Sequence, residues 1–305
     1  MGLRLAGVAT FVFAFAISAP GAEPQTAIAA RVNGEAVGVA EAEAELKRAY
    51  GAREFAAEER VTYLRAALDQ VIDRRLILAY LTKTGQAASK QDVDLALAQF
   101  EKDLKSQNLT LAEHLKQVGL SIEEVRRAVA WKLSWQRYLE KQLTEANLEK
   151  YFLRQRREFD GTKLRVGQIL ITLPMDAGEE AIQAAKARAE SIKQEIAAGK
   201  LSFAEAARQH SQAPSGKTGG DIGSIERRRP MPEEFSRIAF ALKAGELSEV
   251  FVSPFGVHLI AILEEKAGDK NWRDVETELR PAVTLYLFRW IADQERKSAK
   301  IEYGQ

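Results

Sequence analysis

The sequence predicts an α+β chain in two parts: a helical N-terminal domain completed by a C-terminal helix, and a mixed domain of interleaved strands and helices. Three observations predict it. Residues 58 to 158 place apolar side chains at three- and four-residue steps behind polar residues of the kind that cap helices. Residues 163 to 266 run strand, helix, helix, strand, helix, strand, strand. The chain, at 305 residues, is also longer than one typical core needs.

The composition narrows the function classes. With 46% hydrophobic and 29% charged residues the chain is of soluble, globular type. Lys and Arg number 44 against 43 Asp and Glu, for a net charge of +1, so nothing demands nucleic acid as a partner. The absence of cysteine excludes disulfides, thiolate metal sites and a cysteine nucleophile. His114, His210 and His258 are too scattered for a metal-ligand spacing, and neither a phosphate loop nor a nucleophile elbow is present. No metal and no cofactor are expected. Arg4, the uncharged run Leu5 to Ile17 and the small or turn-prone residues 18 to 22 read as an export signal over residues 1–22. The run is short for a membrane span. A cleaved, periplasmic chain is expected, and losing Arg4 leaves it neutral.

The helical domain is expected over residues 23–160. It opens on two strand-like pieces within Ile28 to Val37 around Asn33-Gly34, a strong hairpin dipeptide. Val61, Leu64, Leu68, Val71, Ile72 and Leu76 then mark a helix over 58 to 84 that stops at Gly85. Ser89 to Asp92, Thr110 to Glu113 and Ser121 to Glu124 each pair a hydroxyl with a carboxylate three residues on, as capping boxes do. Trp131, Trp135 and Tyr138 share a face of the last of these helices beside Arg126, Arg127, Lys132 and Arg137. That stripe is either a client-binding surface or core covered by the C-terminal helix. Arg154 to Arg157 and the loop 160 to 162 mark the expected boundary.

In the second domain, Val166, Ile169 and Ile171 indicate a strand over 163 to 172, and an alanine-rich helix follows from Glu179 to Gly199. Ser202 and Glu205 form another capping box, residues 222 to 225 form a strand, and Pro232 suits the first turn of a helix reaching Leu242. Two strands flank Ser253-Pro254-Phe255-Gly256. The tail, residues 267–305, carries Val275, Leu279, Val283, Leu287 and Ile291 on one stripe, then a short strand at 300 to 303. It is expected to pack on the N-terminal domain.

One stretch carries more than fold. Gly219-Gly220-Asp221-Ile222-Gly223, Met231 and Phe235, Phe240-Ala241-Leu242, Gly245-Glu246 and Phe255-Gly256-Val257-His258 follow one another in order. Val166 to Ile171 and Phe203 to Ala207 precede them. In this series the chain resembles the parvulin family of peptidyl-prolyl cis-trans isomerases over residues 163–266. The opening Ala30 to Val37, followed by helices and then this domain, is similar in organisation to exported chaperone-isomerases of the SurA and PrsA type.

The resemblance implies a four-stranded antiparallel sheet with surrounding helices, and it assigns roles. Met231 and Phe235 line a proline-binding slot with Ile222 behind them, and His258 and Ser253 sit on the sheet beneath. Taken by spacing alone, Met231, Phe235 and Phe240 are core residues, and His258 is a buried hydrogen-bonded side chain. Two positions depart from the family pattern. Gln168 replaces a first-strand histidine, keeping a donor and an acceptor that would join His258. Ala213 replaces a cysteine or aspartate and keeps neither. The loop 172 to 178 lacks the basic residues of phosphate-directed members. Arg227, heading the run Arg227-Arg228-Arg229, either meets acidic client residues or is solvated.

The expected function is prolyl isomerisation and chaperoning of unfolded or proline-containing exported polypeptides, outer-membrane proteins among them. The competing expectation is a catalytically weak or inactive parvulin-like peptide-binding module.

Overall fold

The computed structural model describes residues 27 to 304 apart from 52 and 175. The expected export signal lies outside the described residues. The chain forms two compact units, one reaching Thr144 and resuming at Thr284, the other Glu145–Val283.

The first unit opens with strands β1 (Ile28–Val32) and β2 (Glu35–Gly38). Asn33 and Gly34 between them have φ of 51° and 89°, the pair of positive angles a type I′ hairpin turn requires. Helix α1 (Val39–Tyr50) was not legible, because its apolar positions are mostly alanines alternating with glutamates. It buries Ala42 and Leu46 together with Glu45, whose carboxylate is held by Arg48 and Arg74. Helices α2 (Ala57–Lys83), α3 (Lys90–Ser106), α4 (Leu111–Val118) and α5 (Ile122–Gln142) follow. Ser89, Thr110 and Ser121 each accept from the backbone N–H three residues on, and Asp92, Glu113 and Glu124 reach back, so each helix start satisfies orphan amides. Val61, expected on the apolar stripe of α2, is 58% exposed. The stripe begins a turn later at Leu64, which packs with Leu68, Ile72 and Leu76 against Ala30, Val32 and Val37.

The second unit contains α6 (Glu145–Arg154), α7 (Arg156–Phe159), β3 (Lys163–Thr172), α8 (Glu179–Ala197), α9 (Phe203–His210), β4 (Asp221–Ile225), α10 (Glu233–Ala241), β5 (Phe251–Ser253) and β6 (Gly256–Lys266). The strands form one antiparallel sheet in the order β4-β3-β6-β5. On one face Ile169, Ile171, Val257 and Leu259 pack with Ala185, Ala189 and Ile192 of α8 and Ala206 and Ala207 of α9. On the other, Leu164, Val166, Ile260 and Ile262 pack with Phe235, Ala239 and Phe240 of α10. Alternation along β3 and β6 produces this division. The unit is wider than 163–266 because flanking residues are built into it. Arg157 ion-pairs with Glu265 at 2.8 Å and donates to the carbonyls of Phe240 and Leu242, so the basic segment clasps this unit from within.

The chain ends in α11 (Glu276–Arg296) and β7 (Ile301–Tyr303). In the first unit β7 pairs antiparallel with β1, Ala30 opposite Tyr303 and Val32 opposite Ile301, for a sheet of order β2-β1-β7. Ile291 and Ala292 are buried with Ile77, Leu81 and Tyr138. Trp131 and Trp135 stack at 5.3 Å, and Phe288 meets each edge-on at 5.9 Å. Of the aromatic stripe of α5, Tyr138 is therefore core, while Trp131 and Trp135 are half-buried beside it. Among the described residues no helix is long and apolar enough to cross a membrane.

Candidate functional site

On the α10 face of the second unit's sheet, β6 presents His258 in line with Ile260 and Ile262, and the β5-β6 hairpin folds Phe251 and Ser253 beside it. The hairpin pairs Ser253 with Gly256 and therefore Phe251 with His258. The imidazole lies flat on the Phe251 ring, with centroids 5.0 Å apart and an interplanar angle of 11°. Phe235 of α10 meets His258 edge-on at 6.2 Å and Phe251 at 6.0 Å. Edge-to-face and offset-stacked pairs are the favoured aromatic geometries. Met231 and Ile222 are half-buried and pack on the same cluster. The Ser236 hydroxyl, itself buried, donates to the Met231 carbonyl and ties that residue to α10.

The polar part of the site is small. Ser253 Oγ lies 2.6 Å from His258 Nε2 and accepts the Phe255 N–H at 3.0 Å. His258 Nδ1 is buried and has no hydrogen-bond partner among the described residues. Whichever tautomer is present, one imidazole nitrogen is committed to Ser253 and the other keeps an unused donor or acceptor. Burial pushes the His258 pKa down to about 4, so the ring is neutral at physiological pH.

This shift has a measurable consequence. In the unfolded chain His258 takes up its proton near pH 6.5, whereas in the fold it resists until about pH 4. Stability contributed by the neutral ring is complete above about pH 6.5 and is lost as pH falls toward 4, by up to about 3 kcal/mol. Urea unfolding of the wild type and His258→Leu at pH 7 and 4.5 should show the wild type losing more. Equal losses would mean that His258 is not held neutral by the fold.

Of the positions anticipated from sequence, Met231, Phe235, Ile222, Ser253 and His258 come together. Gln168 is buried on β3 opposite Ile260, two pairs along from Leu170 opposite His258. It shares the face, but no hydrogen bond joins it to His258 among the described residues; Ser253 is the histidine's partner. Ala213 is buried at the start of a 3-10 turn, Pro214–Thr218. There Ser211 Oγ accepts the amides of Leu170 and Ala213 and fixes this segment along β3. Arg227 departs from the solvated alternative, and its guanidinium is already held by two carboxylates of this chain. Its side chain is 11% exposed and ion-paired with Glu158 and Glu233, both at 2.7 Å. It fastens the loop before Met231 to α7 and to the start of α10. Arg228 is paired with Glu278, leaving Arg229 outward at 79% exposure beside Glu226. Phe251 was missed. A two-residue hairpin at Pro254-Phe255 pairs Phe251 with His258 by counting, which was the available signal.

Residues 169–264 match the family model for the PPIC-type PPIase domain, and residues 3–139 match that for the SurA-like N-terminal domain. The chain joins a SurA-like domain to a parvulin-type isomerase domain. Among curated proteins it is 25% identical over 211 residues to Chaperone SurA of Saccharophagus degradans, an alignment covering 67% of this chain and 49% of that one. It is 41% identical over 100 residues to Chaperone SurA of Dechloromonas aromatica, covering 33% and 21%. The chain thus spans about half the length, or less, of these relatives. Among solved structures, peptidylprolyl isomerase PrsA of Bacillus anthracis aligns at 23% identity over 76% of this chain and 96% of that one, with a TM-score of 0.37.

Proposed function

We propose that this chain is a periplasmic prolyl cis-trans isomerase that also holds unfolded exported polypeptides. The observation that carries the enzymatic reading is the neutral His258, hydrogen-bonded to Ser253 and set between Phe251 and Phe235 beside Met231. Rotation about a peptide bond has a barrier of about 18–20 kcal/mol, because resonance must be broken. Catalysis of that rotation requires no nucleophile and no metal. It requires an apolar grip on the proline ring and neutral polar groups that favour the twisted amide over the planar one. Met231, Phe235 and Ile222 supply the grip. Ser253 and His258 supply hydrogen bonding, and burial keeps the imidazole uncharged. Activity should therefore be flat between pH 6 and 8.

Export is supported by the apolar run Leu5 to Ile17 and the small residues behind it. Clients are proposed to be unfolded or proline-containing exported chains, outer-membrane proteins included. The SurA-like first domain supports a holding role. A second reading, a peptide-holding module with weak catalysis, is favoured by Ala213, which offers no polar side chain, and by Gln168, which does not engage His258.

The deciding test is proline-limited refolding of a client beside a bulk aggregation assay, both with the chain from residue 23. A measurable but modest acceleration is expected. A rate equal to the uncatalysed one at high protein concentration, with aggregation still suppressed, would leave only the holding role. Gln168→His should preserve or raise the rate; a large loss with fold and peptide affinity intact would show that glutamine has its own part in catalysis.

A further inference from the structure

The first unit contains an open groove of about 890 Å³. Val71 and Leu78 of α2, Val118 of α4, and Val125, Val129 and Trp131 of α5 form its apolar walls. A smaller hollow of about 480 Å³ adjoins it, and Arg75, Glu124 and Arg127 line both.

The charges around the groove are unevenly satisfied. Of its carboxylates, Glu41 is paired with Arg75, Glu43 with Arg60, and Glu45 with Arg74 and Arg48. Glu124 accepts the Ser121 N–H and hydroxyl at the start of α5. The cations are not all matched. Among the described residues Arg127 and Lys132 have no ion pair within 4 Å, and the Nε–H groups of both Arg127 and Arg75 are buried without a hydrogen-bond partner. The Arg75 side chain is 10% exposed. A buried guanidinium N–H with no acceptor is unfavourable, and a carboxylate is the acceptor that forms the strongest bond with it. Both residues that carry such donors line the groove and the smaller hollow alike.

We propose that this groove receives an extended, apolar polypeptide segment carrying one carboxylate, which docks at Arg75 and Arg127 while apolar side chains lie along the trough. This rests on the holding role proposed above and gives it a selectivity, for acidic over basic apolar segments, residing in the first unit. The isomerase site takes no part.

The test uses the full chain from residue 23 and three fluorescein-labelled, proline-free twelve-residue peptides. These are rich in Leu and Val and differ only in a central Glu, Gln or Lys. Anisotropy titrations at low salt should give affinities in the order Glu, Gln, Lys, with Glu about tenfold tighter than Gln. The advantage should shrink at 0.5 M NaCl. Arg127→Gln should abolish the advantage and leave the Gln peptide within about twofold. Val129→Asp, which sets a negative charge on the wall, should weaken the Glu peptide and strengthen the Lys peptide. Equal affinities on the wild type, or a preference that survives in a folded variant of either kind, would overturn the proposal. If Arg127→Gln fails to fold, the wild-type series and Val129→Asp decide. Should the preference be absent while aggregation is still suppressed, the groove assignment fails and the holding role stands. Should neither aggregation suppression nor peptide binding be found, the holding role fails and takes this proposal with it.

Discussion

Ending the chain after Val283 is expected to abolish cooperative unfolding of the first unit. The truncation removes Ile291 and Ala292 from among Ile77, Leu81 and Tyr138, and takes Leu287 and Phe288 off Trp131 and Trp135. It also removes β7 from β1 and leaves Asp73 without its Arg296 partner and Asp69 without the Tyr303 hydroxyl. Full burial of a Leu, Ile or Phe side chain stabilises by roughly 1.5–3 kcal/mol. Loss of these contacts, even with Leu287 and Phe288 only half-buried, amounts to about 5 kcal/mol, comparable to the total stability of many domains. The milder Ile291→Ala should destabilise by about 2–4 kcal/mol. Hydrogen exchange along α2 and α5, with tryptophan fluorescence during urea unfolding, reads both. Unchanged protection of α2 and α5 in the truncated chain would show that the unit is complete without its C-terminal part.

Gly256→Ala is the second large effect expected, and it acts on the site. Gly256 opens β6 with φ of 135°, which L residues rarely adopt, and an added Cβ would lie 2.2 Å from the Ile171 carbonyl oxygen and 2.8 Å from Thr172 Cα. Both obstacles are backbone of the central strand β3 and have little room to yield. Backbone strain and clash together should exceed about 3 kcal/mol. Because Gly256 pairs with Ser253, movement here carries Ser253 away from His258, and isomerase activity should fall with stability. Gly178→Ala, at a helix start with nothing within 4 Å of the added carbon, serves as the control and should change stability by about 1 kcal/mol at most. A Gly256→Ala protein with wild-type unfolding midpoint and activity would show that β3 and the hairpin adjust more readily than this geometry allows.

Much of the site could be read in advance, and for identifiable reasons. His258, Ser253, Met231 and Phe235 lie in a stretch whose order of glycines and apolar residues is demanding. The register of a tight hairpin is set by its turn, so Phe251 was within reach as well. Arg227 was not. Its neighbours Arg228 and Arg229 made it look like part of a charged surface, and its partner Glu158 is 69 residues away on a helix whose basic flank read as a linker. The contact expected between Gln168 and His258 failed for a related reason. Sharing a sheet face does not settle which hydrogen bond an imidazole makes, and Ser253, close in sequence, took it.

The sequence by itself determined what depends on neighbours a few residues apart. Three-residue spacing of hydroxyl and carboxylate placed the starts of α3, α4, α5 and α9. Asn33-Gly34 specified a turn that needs positive φ, and alternation along β3 divided its side chains between two faces. Tertiary structure alone decided what depends on distant segments meeting. Val61 is solvated while Leu64 is packed because β1 and β2 cover only part of α2. Glu45 is buried because Arg74 is there to meet it. Strand β1 acquires its second neighbour from residues 301 to 303, some 270 positions along the chain. Local patterns record the geometry of one helix or strand, whereas these outcomes depend on which surfaces compete for the same partner, and that competition is resolved only when the whole chain packs.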